Sequence, residues 1–117
     1  MVRIVKRVED GETYYDIFLT RGDTLYLTAT PKDSSGNTYE VQEGDTIRFA
    51  MKRNYSDELP TIEKPIDTTT FTFKIDPEDT KTMPLDSTWV YDVEMTKVNG
   101  DVSTYIKGRF TPTKEVH

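Results

Sequence analysis

The chain has 117 residues, with 15 Lys and Arg against 21 Asp and Glu for a net charge of −6, and no cysteine. That length holds one core, the missing thiols exclude disulfide staples, cysteine zinc clusters and thiol catalysis, and the acidic balance excludes the basic stripe that a nucleic-acid reader needs. No apolar run approaches the ~20 residues of a membrane-spanning helix, and Met1 to Arg7 leads into charge rather than into a signal-peptide core, so synthesis in the cytoplasm without a signal peptide is expected.

Thr fills 19 positions, and Tyr, Phe, Val and Ile supply much of the rest, which favours strands over helices. Residues 1–12 read as an extra N-terminal strand and a turn. Asp10-Gly11 is a two-residue hairpin dipeptide, which sets Ile4 opposite Ile17 and Val2 opposite Leu19. Arg21-Gly22-Asp23 turns the chain into a strand with Leu25, Leu27 and Ala29 inward, and Pro31 to Asn37 ends it with turn residues. Gly44-Asp45 opens the next strand, with Ile47, Phe49 and Met51 inward. Gly22-Asp23-Thr24 and Gly44-Asp45-Thr46 echo each other as one local turn used twice.

Thr61 to Ile66, flanked and interrupted by Pro60 and Pro65, reads as a short edge strand, and Thr70 to Ile75 as an alternating one with Phe71, Phe73 and Ile75 inward. Asp76-Pro77-Glu78-Asp79 carries the signals of a helix start, and Pro84 limits the helical turn to about 77–83. Trp89 to Phe110 reads as a β-hairpin about Asn99-Gly100, taken as a two-residue type I′ turn. That register pairs Val98 with Asp101, Met95 with Thr104, Glu94 with Tyr105, Val93 with Ile106, Asp92 with Lys107, Tyr91 with Gly108 and Trp89 with Phe110. It gives an apolar face and a face whose charges match each other. Thr111-Pro112-Thr113 is expected to stop the pairing, leaving 113–117 as a loose tail. Seven to eight short strands with one helical turn make an all-β antiparallel sandwich in a single domain, 1–117.

Candidate sites are few. Arg21, Gly22 and Asp23 spell an adhesion tripeptide and also read as a plain turn. Asp33, Ser35 and Asn37 have the alternation of a calcium loop, but the twelfth position is Gly44 instead of a bidentate Glu, so no metal is expected. The one histidine is His117, at the end of the chain, and no phosphate loop or nucleophile elbow is present, so neither catalysis nor a cofactor is expected. Alternation sends Tyr14, Tyr26 and Tyr105 outward, where they form a candidate interaction surface; an edge-covering role is the competing reading.

Read in order, Arg21-Gly22-Asp23-Thr24, Asp33 to Asn37, Gly44-Asp45-Thr46-Ile47-Arg48-Phe49, Asp76 to Thr80, Tyr91-Asp92-Val93 and Gly108 to Val116 resemble the immunoglobulin-like N-terminal domain of phage baseplate upper proteins and related tail and head-fibre modules. The resemblance implies an immunoglobulin-like sandwich with a structural role in a virion. It implies no catalysis and no cofactor, with other virion proteins or a second copy as partners; charge and hydropathy add the expectation of no nucleic acid and no membrane, and no small-molecule ligand is expected. Because the chain stops soon after the last of these motifs, an accessory, decoration or adaptor protein is expected rather than a long baseplate arm. The alternative is a carbohydrate- or cell-surface-binding module that uses its tyrosines.

Overall fold

A computed structural model describes residues 2–33 and 35–114; His117, the expected tail past Lys114, and Ser34 lie outside the described residues. The chain folds as β1 (Val2–Glu9), β2 (Glu12–Thr20), β3 (Leu25–Thr28), β4 (Thr46–Lys52), β5 (Ile62–Ile66), β6 (Thr72–Ile75), the one-turn helix α1 (Pro77–Thr80), β7 (Trp89–Thr96) and β8 (Val102–Thr113). A six-stranded sheet has the order β1-β2-β8-β7-β4-β5, and β3 and β6 form a second, two-stranded sheet. Every pairing is antiparallel except β2 with β8, so the expected wholly antiparallel fold has one parallel pair.

The core lies between the sheets. Phe49 and Phe110 are fully buried with Ile75 and Met51, and the Phe49 and Phe73 rings stack across the gap at 4.8 Å. Inward side chains fall at alternate positions on β4 and β7, as strands with one buried face require.

Local turn chemistry sets the strand ends. Asp10 and Gly11 both have positive φ, 54° and 79°, so the first hairpin has the type I′ turn, and Val2 and Ile4 pair with Leu19 and Ile17 as expected. The Gly-Asp-Thr echo is the same turn twice. Asp23 N–H bonds to Thr20 C=O and Asp45 N–H to Gln42 C=O, each turn with a positive-φ glycine at its third position, as a type II turn demands. At α1, the Asp79 carboxylate accepts the Asp76 N–H at 2.7 Å, and Pro77 occupies the first turn, where no amide is missed.

The second hairpin corrects the expected register. Gly100 N–H bonds to Lys97 C=O and Lys97 N–H to Asp101 C=O, so the loop is three residues, Val98-Asn99-Gly100, with positive φ at Gly100 and not at Asn99. Such a loop slips the inner pairs by one residue: Glu94 faces Thr104 and Met95 faces Ser103. A β-bulge then inserts Tyr105 as the extra residue, and the outer pairs from Val93 with Ile106 to Trp89 with Phe110 fall where the alternation put them. Two one-residue offsets cancel.

The end of β8 is a second correction. Pairing continues through Pro112, opposite Leu19, to Thr113, opposite Thr20. The Pro112 carbonyl accepts Asp86 N–H on the side away from β2, so the missing amide faces a position where β7 has already ended, and the proline costs no ladder bond.

Candidate functional site

Two concave surfaces lie on the large sheet, one on its inner and one on its outer face. The inner one follows from unequal sheets: two strands cannot cover the inward face of six. Beyond β3 an apolar groove of ≈ 310 Å³ opens, floored by Tyr15, Val93, Tyr105 and Ile106, with Ile4 on one wall and Leu27 to Thr30 on the other. Val2, Ile4 and Val8 of β1, on the same face as buried Ile17 and Leu19, stay 39 to 65 % exposed.

The groove floor is held by three backbone-directed contacts. β2 crosses so close over Gly108 that a Cβ there would lie 2.1 Å from the Tyr15 carbonyl oxygen. The Tyr91 hydroxyl donates to that same oxygen at 2.6 Å, and its pKa is pushed far up, first by burial and then by the nearby Asp16 charge. The Tyr105 hydroxyl donates to Ala29 C=O at 2.7 Å, spanning the two sheets, and burial pushes its pKa up to about 12. Asp16 locks the crossing from the other side, accepting from Arg109 N–H at 3.0 Å and from Arg7 Nε at 2.8 Å. Burial pushes the Asp16 pKa upward, but these two donors outweigh it and hold the carboxyl below its usual range.

The outer surface is a polar cleft of ≈ 290 Å³ over β4, β7 and β8, floored by Ala50 and Val90 and rimmed by Arg48, Lys52, Tyr55 and Lys107. Asp92 lies half-buried in it. The expected charge match with Lys107 is not made: Lys107 pairs with Glu12 at 2.9 Å, and Arg48 bridges Glu63 at 2.8 Å and Glu94 at 3.4 Å. The reason is sheet order, since β8 has β2 as its other neighbour and β7 has β4. No hydrogen bond or ion pair among the described residues reaches the Asp92 carboxylate, and desolvation, with Glu94 beside it, raises its pKa.

The residues singled out from sequence do not come together. Tyr14 lies on the outer face of the large sheet with the Arg7 and Lys107 cations 4.3 and 5.1 Å from its ring centre. Tyr26 is 70 % exposed, on the far side of β3 from the core. Tyr105 was expected to point outward, but the bulge turns it into the groove. Three tyrosines on three surfaces make no shared platform. Arg21, Gly22 and Asp23 are half-buried and tied to the helical segment: Arg21 donates to Met83 C=O at 3.1 Å and Gly22 N–H to Thr80 Oγ1 at 2.9 Å. These bonds tie the turn to the helical segment.

Asp33 accepts the amides of Ser35 and Asn37 at 2.9 Å each, so it serves its own turn, and no group of metal-ligating side chains occurs among the described residues. Sequence reasoning missed Asp45. Its carboxylate accepts Gln42 N–H, Val98 N–H and Tyr39 O–H at 2.8, 2.9 and 3.1 Å, tying the β3–β4 loop to the β7–β8 loop. The Gln42 and Val98 amides hold it below the usual carboxylate range. The Gly44-Asp45 turn signal located the residue but not its reach to the loop after the neighbouring strand β7.

Comparison of the chain with protein-family models and with curated proteins gives no match.

Proposed function

We propose that this chain is a non-enzymatic interaction module on an immunoglobulin-like sandwich, acting by protein–protein contact in a phage or prophage tail, baseplate or head decoration. Strand order supports the fold: β8-β7-β4-β5 runs as G-F-C-C′ of an immunoglobulin domain, with β3 and β6 in the places of B and E. The observation that carries the contact role is the apolar groove with Ile4 on its wall, since an uncovered apolar opening on a domain of net charge −6 costs solubility unless something docks there. The phage setting rests on the ordered motifs from Arg21 to Val116. Mass spectrometry of purified particles tests it: the account expects the chain at a fixed stoichiometry to a capsid or tail protein, and its absence would refute the virion role.

A second reading is a carbohydrate-binding module that uses the outer cleft. The Asp92 carboxylate, which no hydrogen bond or ion pair among the described residues reaches, and Tyr55, 75 % exposed, favour it. Glycan-array binding lost on Asp92→Ala would decide for this reading.

A further inference from the structure

The two sheets have four edges, and three of them are guarded against pairing. β1 carries Arg3, Lys6 and Arg7; β5 carries Glu63, Lys64 and Pro65; β6 carries Lys74. Charged side chains and proline on an edge strand discourage a further strand from adding. β3 has neither. From Leu25 to Thr30 there is no charge and no proline, and Lys32 comes only beyond Pro31.

The free side of β3 can be read from its ladder. Ala29 N–H bonds to Phe71 C=O, which makes Ala29, Leu27 and Leu25 the residues whose main chain faces β6. The N–H and C=O groups of Tyr26 and Thr28 therefore point the other way. β6 occupies the other side of β3 and Leu27 to Thr30 line the groove, so this open ladder faces the space walled by Ile4 and floored by Tyr15 and Tyr105. An unpaired ladder beside an apolar floor offers what an added strand requires: main-chain hydrogen bonds along one side and seats for alternate side chains below.

Resting on the contact role above, we infer that the groove receives one extended segment of another protein, which adds to the free edge of β3 as a third strand of the small sheet. The segment carries apolar residues at alternate positions and an acidic residue at the end beside Lys32, the one charged residue lining the groove. In the antiparallel sense, the commoner one, that acid lies at the segment's N-terminal end. A second copy is the wrong occupant. Ile4 of β1 walls the groove beside the β3 edge, and among the described residues the other edge with exposed apolar side chains, β1, sets Lys6 among them on its inward face. A walled edge admits a lone strand more readily than the rim of a folded sandwich.

The test uses the whole chain, 15N-labelled, with blocked synthetic peptides in which Glu precedes alternating Thr and Val, Ile, Leu or Phe. Amide hydrogen exchange is read residue by residue. The account expects at least one peptide to bind below about 1 mM and to slow exchange of the Tyr26 and Thr28 amides by about tenfold or more. Thr28→Pro, which removes an outward amide without touching the β6 ladder, should weaken binding by about tenfold. Ile4→Lys, at a position already 49 % exposed and thus safe for folding, should do the same by charging the groove wall. Protection appearing at Ile4, Lys6 and Val8 instead would place the strand on β1 and overturn the inference. Binding unchanged in both variants, or no peptide bound up to about 1 mM, would overturn it too. Either failure with the chain still present in particles would remove the strand-addition mode and leave the contact role standing.

Discussion

Gly108→Ala tests the crossing that forms the groove. The new methyl group would sit 2.1 Å from the Tyr15 carbonyl oxygen, 2.7 Å from its carbon and 3.1 Å from its nitrogen, all backbone atoms that no rotamer change can move. Reaching van der Waals distance requires β2 to retreat by about 1.4 Å. That retreat breaks the Tyr91 hydroxyl bond to Tyr15 and the Arg109 amide bond to Asp16. A buried hydroxyl left without a partner costs about 1 to 3 kcal/mol, and a bond to a carboxylate is worth about 1.5 to 3 kcal/mol. The unfolded chain loses freedom when Gly becomes Ala, which returns about 0.4 to 1 kcal/mol. The net expectation is a loss of about 2 to 5 kcal/mol, a large share of the 5 to 15 kcal/mol typical of such a domain. Urea unfolding of wild type, Gly108→Ala, Tyr91→Phe and the double variant measures it. Tyr91→Phe should cost about 1 to 2 kcal/mol alone and almost nothing once Gly108→Ala has broken the same bond. A Gly108→Ala loss below about 1 kcal/mol, or strictly additive effects, would refute the crossing.

Trp89→Ala, which empties a buried site opposite Phe110 and removes the indole N–H donor to Ser87 Oγ, should cost about 3 to 5 kcal/mol in the same assay. Asp45 and Asp16 both have folded pKa values held below normal, so their stabilisation is complete above the unfolded value near pH 4 and is lost as pH falls through the folded value. Unfolding followed from pH 6 to pH 2 should show that decline, and Asp45→Asn should flatten part of it. Asp92 has the opposite sign: its folded pKa is raised, so it costs stability as pH rises through that value. Asp92→Asn should therefore leave stability at pH 7 unchanged or raise it by less than about 1 kcal/mol; a marked loss would mean the carboxylate has a partner.

How far the sequence reached depended on the range of the physics involved. Asp10-Gly11, the repeated Gly-Asp-Thr turn and the Asp76-Pro77 helix start are governed by φ preferences and local hydrogen bonds, and all form as expected. The outer register of the second hairpin was legible because Trp89, Tyr91 and Val93 must face one core with Phe110. Its inner register was not, since Asn99-Gly100 fits a two-residue loop as well as the last two positions of a three-residue one, and nothing local announces a bulge at Tyr105. Pro112 misled because its effect depends on which side of β8 lacks a neighbour. The charges of Asp92 and Lys107 misled for a related reason: hairpin pairing says nothing of the strands on either side, which here supply Glu12 and Arg48. The groove is a tertiary consequence of six strands facing two, and the only trace of it in sequence is the uncharged run from Leu25 to Thr30.

The central claim, that this domain works by docking a virion protein in its groove, is tested most directly by a photo-reactive side chain placed at Ile4 and activated in the assembled particle. The account predicts a cross-link to one virion protein, absent when the same group is placed at Asp92 in the outer cleft. Cross-links from Asp92 with none from Ile4 would contradict it.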